Sequence, residues 1–442
     1  MERFTCHWIF EMLVVLCDGK VVCGCADPYG ERPLGSTAES SISEIWNSEL
    51  VQSIRTGLNK GFSPFCRDCG LKTPLSLDDP IPQRAIIQNP VTRIFVEPTI
   101  LCNISCFQAV CSHESGIVQS RACKRMPAQL FHRIMHETGP SLKRLDFFNY
   151  GETFMHPQAT DMIAFVKTNY PQIYVYVSTN GIPLTDMNLN KLVESGLDEI
   201  TFSIDGTTQA IYEKYRRGGN LADVLKNVEQ LVRIREHKGS DKPFINWRYI
   251  LFNWNDRRSQ MQHARKLAHR LGVDRLVWEI TDHPKSAASH KYQTGTRLWR
   301  KRFYEIWDTS RLSNALDGRK YLAKIKQIPR TITCKCGESL QISCHIINTG
   351  GATWQHRTSS SIRTIRLGAQ LHDSKKVLLN RDYSRAFLPQ TLKSGESATV
   401  ELQFDAPKQP GIYFFKFDMV SEGIDWFESA GSPVSWCRLH VI

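Results

Sequence analysis

The feature that most constrains this chain is a loop with three cysteines, Cys102, Cys106 and Cys111, in the stretch Glu97 to Cys111 (EPTILCNISCFQAVC). An apolar run, Arg93 to Val96, comes just before it and predicts a strand that ends at the loop. In a reducing compartment, clustered thiols are more often metal ligands or catalytic groups than disulfides. Three thiolates suit an iron–sulfur cluster with one open iron, whereas a structural zinc site needs four ligands. The alternative is three small buried residues.

The composition narrows the class of protein. Its 442 residues allow about three domains. No apolar run is long enough to cross a bilayer, and Met12 to Leu16, with Glu11 before it, lacks the layout of a signal peptide. We therefore expect a cytoplasmic protein without a membrane span. The net charge of +12 is not gathered in a long Lys/Arg block, so we expect a generic basic surface and no nucleic-acid partner.

A second group of cysteines lies in the first 80 residues. Cys66 and Cys69 have the C-x2-C spacing that is common in metal sites. A predicted hairpin ends at Cys23 and Cys25, and Cys6 precedes it. The group predicts either an auxiliary iron–sulfur site or a zinc knuckle. A linker rich in Pro and Asp follows before the next domain.

Between residues 90 and 325, apolar strands alternate with amphipathic helices, which predicts a parallel sheet with ligands at the carboxyl ends of its strands. Ser41 to Arg55, outside this region, also has helical spacing, with Ser43 as its candidate cap. The six predicted strands are Arg93–Val96, Arg144–Phe148, Ile173–Val177, Glu199–Ser203, Phe244–Leu251 and Arg275–Glu279. The predicted helices include Ala128–Glu137, Ala159–Asn169, Asn188–Ser195, Leu221–Glu236 and Ser259–Leu271.

Polar residues and glycines follow three of these strands. Asn149-Tyr150-Gly151-Glu152 follows the second strand, Ser178-Thr179-Asn180-Gly181 the third, and Ser203-Ile204-Asp205-Gly206 the fourth. Each dipeptide alone is a common turn, but their order after successive strands indicates one site. Arg248 is a charge within the apolar fifth strand, and it points inward to a ligand, forms a structural ion pair or is exposed at an edge.

The pattern changes near residue 331. Short alternating strands divided by Gly and Pro turns predict an all-β sandwich over residues 331–442, which we interpret as a binding or spacer module. The predicted strands are Leu340–Ile347, Ile362–Leu371, Ala398–Phe404, Ile412–Val420 and Trp436–Val441. We interpret the cysteines of this region as buried or incidental; they are Cys334, Cys336, Cys344 and Cys437.

The order of strand, cysteine loop and strand–helix units resembles radical S-adenosylmethionine (SAM) enzymes, as does Tyr212 to Gly219 (YEKYRRGG). That family has the spacing C-x3-C-x2-C, whereas this chain reads C-x3-C-x4-C, with Ala109 where the third cysteine would fall. The resemblance implies an α/β partial (β/α)6 TIM-like barrel over residues 90–325, with a [4Fe–4S] cluster on Cys102, Cys106 and Cys111. The residues it implies for the cofactor pocket are Phe107, Gly151, Glu152, Ser178, Asn180, Ser203, Asp205 and Arg248.

The same resemblance implies a reaction. Reduction of SAM at the cluster would release a 5′-deoxyadenosyl radical, which would remove a hydrogen atom from a substrate held at the barrel mouth. The implied electron donor is a reducing partner such as flavodoxin or ferredoxin. No catalytic side chain is assigned. The competing hypothesis is a non-catalytic scaffold that binds iron–sulfur or zinc, because the third cysteine is displaced.

The two flanking regions resemble known modules. Residues 1–80 are similar to the SPASM or twitch extension of radical SAM enzymes, which normally follows the barrel and here precedes it. That likeness implies a second [4Fe–4S] cluster and a peptide or protein substrate. Residues 331–442 resemble an Ig-like domain of bacterial surface-polysaccharide enzymes, which implies a glycan-linked substrate. The implied auxiliary ligands are Cys6, one of Cys23 and Cys25, Cys66 and Cys69.

Overall fold

The chain forms two compact units, Met1–Val273 with Val277–Phe303, and Asp274–Leu276 with Tyr304–Ile442. The first unit mixes helices and strands, whereas the second is rich in sheet. The domain boundaries at 80, 90, 325 and 331 stay predictions. The computed structural model describes residues 3–24, 27–67, 69, 72–75, 85–281, 284–292, 306–308, 321–350, 352–357, 364–422, 425–430 and 432–442.

Thirteen described strands and nine described helices precede residue 281. The strands are β1 (Arg3–Thr5), β2 (Met12–Val15), β3 (Lys20–Val22), β4 (Gly35–Ser36), β5 (Thr73–Leu75), β6 (Arg93–Val96), β7 (Ser105–Cys106), β8 (Arg144–Asp146), β9 (Tyr174–Thr179), β10 (Glu199–Ser203), β11 (Arg216–Arg217), β12 (Phe244–Leu251) and β13 (Arg275–Ile280). The helices are α1 (His7–Glu11), α2 (Ile42–Trp46), α3 (Glu49–Asn59), α4 (Ala128–Thr138), α5 (Ala159–Asn169), α6 (Asp186–Glu194), α7 (Gln209–Tyr212), α8 (Leu221–His237) and α9 (Arg258–Leu271).

The main sheet contains a run of parallel strands in the order β2-β6-β8-β9-β10-β12. All five residues of β10 are buried, as expected for a parallel strand covered on both faces. The covering helices have apolar residues at helical spacing; in α8 they include Leu221, Val224, Val228 and Leu231. Because the strands are parallel, their carboxyl ends meet at one edge, where the predicted site residues lie.

The N-terminal segment continues this sheet. Strand β2 pairs in parallel with β6, with Met12 opposite Arg93 and Val15 opposite Val96. Strand β3 returns antiparallel to β2 after the turn at Gly19, where φ is +87°, a backbone conformation that glycine adopts without strain. The segment that resembles an iron–sulfur extension is thus hydrogen-bonded directly to the first strand of the strand–helix region.

The helical stretch after residue 41 is divided in two. Helix α2 begins after Ser41, whose hydroxyl accepts the Glu44 N–H, while the Glu44 carboxylate accepts the Ser41 N–H. This reciprocal capping box makes Ser41 the cap, so the prediction of Ser43 was wrong. Helix α3 begins after its own cap, Ser48.

The second unit contains two sheets. The smaller has the order β15-β17-β20, and the larger β16-β23-β21-β18-β19, with β22 beside β21. One apolar cluster includes Ile346 and Leu402 of the smaller sheet and Phe415 and Phe417 of the larger. The described strands are β14 (Ile306–Asp308), β15 (Ala323–Lys326), β16 (Thr331–Cys334), β17 (Ser339–Asn348), β18 (Ile365–His372), β19 (Leu378–Phe387), β20 (Ser397–Asp405), β21 (Gly411–Ser421), β22 (Asp425–Trp426) and β23 (Ser435–Val441).

None of the helices in the described ranges is both long and apolar enough to cross a lipid bilayer.

Candidate functional site

A cavity of about 230 Å³ lies among the cysteine loop and the strand-end residues of the first unit. Cys102, Cys106 and Cys111 all line it. The structure therefore brings the three-cysteine loop together with residues at the carboxyl ends of strands β8, β9 and β10. Six of the eight residues predicted for the cofactor pocket also line this cavity; they are Gly151, Glu152, Ser178, Asn180, Ser203 and Arg248.

The cysteine loop accommodates its unusual spacing with a local turn. The Ala109 N–H donates to the Cys106 carbonyl (3.2 Å), and Gln108 between them has a φ of +51° in the left-handed region. Ala109 is buried in a small apolar cluster with Ile104. The two extra residues are taken up by this turn, so that Cys111, rather than position 109, reaches the cavity wall.

The three thiols have different electrostatic surroundings. A hydrogen bond from the Cys111 thiol lowers the pKa of Cys106 to about 6, against the effect of burial, and the Arg216 cation acts in the same lowering direction. The same hydrogen bond, together with burial, raises the pKa of Cys111. Burial raises the pKa of Cys102 to about 11. One of the three sulfurs thus favours its thiolate form, which is the form that binds metal.

Two side chains donate hydrogen bonds to the cysteine sulfurs. Arg216 Nη1 lies 3.5 Å from Cys106 Sγ, and Asn180 Nδ2 lies 3.7 Å from Cys102 Sγ. Asn180 Nδ2 also donates to Asn103 Oδ1 at 2.8 Å. A residue after β9 and a residue of β11 are therefore linked directly to the cysteine loop.

The Gly151-Glu152 turn is held tightly against the start of that loop. A Cβ at position 151 would lie 2.0 Å from the Thr99 carbonyl oxygen, so only glycine fits. The Glu152 N–H donates to the Leu101 carbonyl at 2.8 Å. This close approach brings the backbone after β8 to the cavity beside Cys102.

The Glu152 carboxylate is buried and already has hydrogen-bond donors. It accepts the Thr179 hydroxyl and the Asn180 N–H, both at 2.6 Å, and more weakly the Phe154 N–H at 3.3 Å. Burial raises its pKa, against the effect of these hydrogen bonds. Glu152 therefore orders the end of β9 in addition to lining the cavity.

Arg248 lies on the wall formed by β10 and β12. Its Nη2 donates to Ser203 Oγ at 2.9 Å, and its Nε lies 3.5 Å from Glu279 Oε2. Ser203 Oγ is in turn 3.5 Å from Ser178 Oγ. Arg248 thus borders the cavity and also approaches a carboxylate, and its contact with a ligand stays a prediction.

Two predicted residues do not line the cavity. Phe107 packs against Trp254 with ring centroids 6.3 Å apart, and the Arg217 guanidinium lies 4.5 Å from its ring centre. Asp205 is fully buried and accepts Arg216 Nε at 2.6 Å. Asp205 thus binds Arg216, which lines the cavity, but does not line the cavity itself.

Sequence reasoning assigned no role to two further wall residues, Tyr215 and Arg216. They lie in the YEKYRRGG stretch, where Arg216 pairs with Cys106 across the two-residue strands β11 and β7. Pairing this short leaves no hydrophobic alternation in a sequence. The sequence feature that could have indicated a site is the pair Arg216-Arg217, which lies between an aromatic residue and two glycines.

The N-terminal cysteines form a second group. Cys6, Cys23 and Cys66 are buried, and the Cys69 N–H donates to the Cys66 carbonyl at 3.2 Å. Burial raises the pKa of Cys23 beyond its ordinary range, and charge on Cys6, Cys66 and Cys69 acts in the same direction. These four thiols therefore lie close to one another. The fifth candidate, Cys25, lies outside the described residues.

The donor chemistry of both groups fits iron–sulfur ligation. Within the part of the chain that the structure describes, no group of three or more His, Cys, Asp or Glu side chains is arranged to hold a metal ion. A four-iron cluster needs more widely spaced ligands than a single metal ion, because each thiolate binds a different iron and the ligands surround the whole cluster. Three thiols around one cavity, with N–H donors at two of the sulfurs, meet that demand.

Comparison with known families identifies two domains. Residues 98–238 match the radical SAM superfamily, and residues 6–70 match the iron–sulfur cluster-binding SPASM domain. The chain contains a radical SAM domain and a SPASM domain. The radical SAM domain implies a [4Fe–4S] cluster and SAM, and the SPASM domain supports additional iron–sulfur clusters.

Several curated relatives are similar to part of the chain. A tungsten-containing aldehyde ferredoxin oxidoreductase cofactor-modifying protein of Pyrococcus furiosus is 31% identical over 190 residues, which are 42% of this chain and 50% of the relative. A probable GTP 3′,8-cyclase of Methanococcus maripaludis is 26% identical over 133 residues, or 30% and 43%. The mycofactocin maturase MftC of Mycobacterium ulcerans is 25% identical over 139 residues, or 30% and 35%. The chain thus spans half the length of these relatives or less. Together they support an enzyme and leave its type of reaction open.

Solved structures give weaker likenesses. Streptococcus suis SuiB bound to S-adenosylmethionine is 13% identical with a TM-score of 0.39, covering 52% of this chain and 49% of SuiB. SuiB bound to precursor peptide SuiA is 9% identical with the same TM-score of 0.39, covering 72% and 70%. Similarity at this level carries no argument about function.

Proposed function

We propose that this chain is a radical SAM enzyme whose cavity holds a [4Fe–4S] cluster on Cys102, Cys106 and Cys111 together with SAM. The bound cluster would supply one electron to the SAM sulfonium, releasing methionine and a 5′-deoxyadenosyl radical that removes hydrogen from a substrate. The observation that supports this most is the position of Cys111. Despite its displaced place in the sequence it lines the same cavity as Cys102 and Cys106, and three thiol ligands leave one iron free for SAM.

The remaining cavity residues would bind and orient SAM and the substrate. Gly151 allows the backbone to come close, and backbone carbonyls near it provide acceptors for an ammonium group. Ser178, Ser203 and Arg248 form a polar wall suited to a ribose or a carboxylate. Glu152 would hold Asn180 in place at the other side of the cavity. The walls would thereby aim one C–H bond at the radical.

We also propose that Phe107 and Asp205 act indirectly. Phe107 would support the loop beside Cys106 through its packing on Trp254, and Asp205 would hold Arg216. Neither borders the cavity, so among the eight predicted residues direct contact with SAM is left to the six that line it.

A second [4Fe–4S] cluster would occupy the SPASM domain on Cys6, Cys23, Cys66 and Cys69, whose thiols lie close together. The strand–helix region would form a partial (β/α)6 barrel, which its run of parallel strands supports. The second unit would be an Ig-like sandwich, in keeping with two sheets that share one apolar cluster.

The substrate we favour is a peptide or protein, with a glycan-linked precursor as the alternative. The SPASM match favours a peptide or protein, because that extension is frequent in peptide-modifying radical SAM enzymes, and one relative is named as a maturase. The electron donor would be a small reducing protein such as flavodoxin or ferredoxin. We propose a cytoplasmic location, because iron–sulfur ligation needs reduced cysteines.

The first test is the iron and sulfide content of anaerobically reconstituted protein. We expect about eight irons in the wild type and about four after Cys102→Ala, Cys106→Ala and Cys111→Ala are combined. The matched control replaces three cysteines of the second unit, Cys334, Cys344 and Cys437, which should leave iron unchanged. Reductant-dependent release of 5′-deoxyadenosine should be lost only in the first variant. Unchanged iron in that variant would show that the cavity holds no cluster and would leave the scaffold hypothesis.

A further inference from the structure

Arg216 is a buried cation directly behind a cysteine of the cavity. The short strands β7 and β11 pair Cys106 with Arg216, although 110 residues separate them. The Arg216 residue is 8% exposed, and its Nη1 donates to Cys106 Sγ at 3.5 Å. The guanidinium therefore lies against one cysteine sulfur, where little water can screen its charge.

The position of this guanidinium is set by Asp205. Arg216 Nε donates to Asp205 Oδ2 at 2.6 Å, and the Ile250 N–H donates to Asp205 Oδ1 at 2.7 Å. Asn255 Nδ2 donates to the Asp205 carbonyl at 2.9 Å. Because Ile250 of β12 holds one carboxylate oxygen and Asn255 holds the backbone carbonyl, the second carboxylate oxygen has a fixed position. The planar guanidinium that binds this oxygen therefore keeps one orientation, with a second N–H left for the sulfur.

The charge at Cys106 distinguishes it from a neighbouring cysteine. Asn180 approaches Cys102 Sγ with a neutral amide at 3.7 Å, whereas the donor at Cys106 is a full positive charge. Hydrogen bonds and charge at ligating sulfurs tune the reduction potential of a cluster, because reduction adds negative charge to the cluster and its thiolates. A cation at Cys106 therefore favours the reduced state, and a nearby carboxylate opposes it.

We propose that Arg216 raises the reduction potential of the cavity cluster by acting through Cys106, and that Asp205 positions Arg216 and offsets part of its charge. This inference rests on the proposed function, because it requires a cluster on Cys106. It assigns a redox role, separate from the binding of SAM, to Asp205 in the SIDG motif and to Arg216 in the YRRGG motif.

The proposal predicts shifts of opposite sign for two partners in one ion pair. Arg216→Gln removes the cation and should lower the potential. Asp205→Asn removes the anion and leaves the cation, so it should raise the potential. General damage to the site would lower cluster content in both variants and would not separate the signs.

Arg217→Gln is the matched control. Arg217 is the other residue of β11, is exposed, and stacks on Phe107 instead of reaching a cysteine. The substitution removes one positive charge from the same strand, but water and salt screen that charge. The potential of this variant should stay at the wild-type value.

The experiment is a redox titration of the anaerobically reconstituted full chain, followed by electron paramagnetic resonance. The cavity cluster is identified as the signal that changes when SAM is added, because its open iron is the SAM-binding one. Iron content is measured in parallel for wild type, Arg216→Gln, Arg216→Lys, Asp205→Asn and Arg217→Gln. Arg216→Lys keeps the charge without the planar fork, so its potential should lie between wild type and Arg216→Gln.

The outcomes separate this inference from the proposed function. Potentials that shift in the same direction, or not at all, in variants with intact clusters would overturn the role of Arg216. If Arg216→Gln loses its cluster, Asp205→Asn and Arg216→Lys still decide: a potential for Asp205→Asn at or below that of the wild type would overturn the inference. A wild-type protein without a SAM-responsive cluster would overturn the proposed function and this inference with it.

Discussion

The cysteines of the two units have different neighbours. Cys106 and Cys111 line a cavity, are hydrogen-bonded to each other, and lie beside the Arg216 cation. Cys344 and Cys437 are fully buried in an apolar core, where burial raises the pKa of Cys344 to about 12 and that of Cys437 to about 11. Burial also raises the pKa of Cys102, and the hydrogen bond with Cys106 together with burial raises that of Cys111, so the difference lies in the cavity and in the cation beside Cys106. The surroundings, not the residue type, thus separate candidate ligands from core residues.

The interiors of the two units also differ in how buried polar and apolar side chains are arranged. The first unit buries ion pairs near its strand ends, and the Arg121–Glu97 pair has no exposed side-chain surface. Glu97 also accepts the Cys17 N–H and Asn149 Nδ2, so this pair joins the N-terminal segment to the turn after β8. The second unit has a continuous apolar cluster drawn from both of its sheets. Buried ion pairs hold loops in place in the first unit, and one apolar cluster joins the two sheets of the second.

The largest expected effect follows from breaking the buried pair. Glu97→Ala would leave Arg121 buried without its carboxylate, which should lower the free energy of unfolding by about 3–5 kcal/mol. Denaturant unfolding of the full chain measures this loss. The control is Glu229→Ala, which breaks an exposed i,i+4 pair with Arg233 and should cost less than about 1 kcal/mol. Equal losses in the two variants would contradict the distinction between buried and exposed pairs.

A pH effect is expected in the second unit, where Asp418 is a buried carboxyl group within strand β21. Burial raises the pKa of Asp418 to about 7, against the effect of hydrogen bonds from the Glu428 and Met419 N–H groups. The folded state then holds a proton that the unfolded state has released. Stability should be full below the ordinary carboxyl range and should fall as pH rises through about 7, by at most about 4 kcal/mol.

Hydrogen exchange of strands β21 and β23, corrected for intrinsic rates, measures this dependence. Asp418→Asn should flatten the fall in stability, whereas Asp405→Asn at an exposed position should leave it unchanged. Stability of these strands that increases between pH 5 and pH 8 would contradict the assignment of the proton to Asp418.

A smaller effect is expected from the apolar core. Leu402→Ala would open a cavity between the two sheets and should lower the free energy of unfolding by about 3 kcal/mol. Its control, Leu379→Ala, changes a side chain in a residue that is 54% exposed and should stay within about 0.5 kcal/mol. Iron content should be the same in both variants, because iron binding in the first unit should not depend on the apolar core of the second. Loss of iron in Leu402→Ala would remove that separation.

Secondary structure was predictable wherever the hydrophobic pattern is local. The predicted strands Glu199–Ser203 and Phe244–Leu251 have the observed bounds of β10 and β12. Strand β9 runs to Thr179, so Ser178 and Thr179 belong to the strand and not to the loop after it. Strand β19 was missed because most of its side chains are exposed or half-buried, which leaves no apolar alternation to detect.

The candidate site was predictable in part. Order along the chain was enough to indicate that Gly151, Glu152 and Asn180 would meet the cysteine loop, because successive parallel strands end at one edge. The partner of Asp205 was not predictable. The resemblance to radical SAM enzymes implied a contact with SAM, whereas the structure gives Asp205 Arg216 as a neighbour.

The sequence by itself determined which residues supply thiols, where most strands and helices lie, and which motifs follow each strand, because these properties depend on a few neighbouring residues. Only the tertiary structure decided that Cys111 replaces position 109 at the cavity and that Arg216 reaches Cys106. Both outcomes depend on contacts between segments far apart in the chain. Such contacts are selected by the packing of the whole unit, which local propensity does not encode.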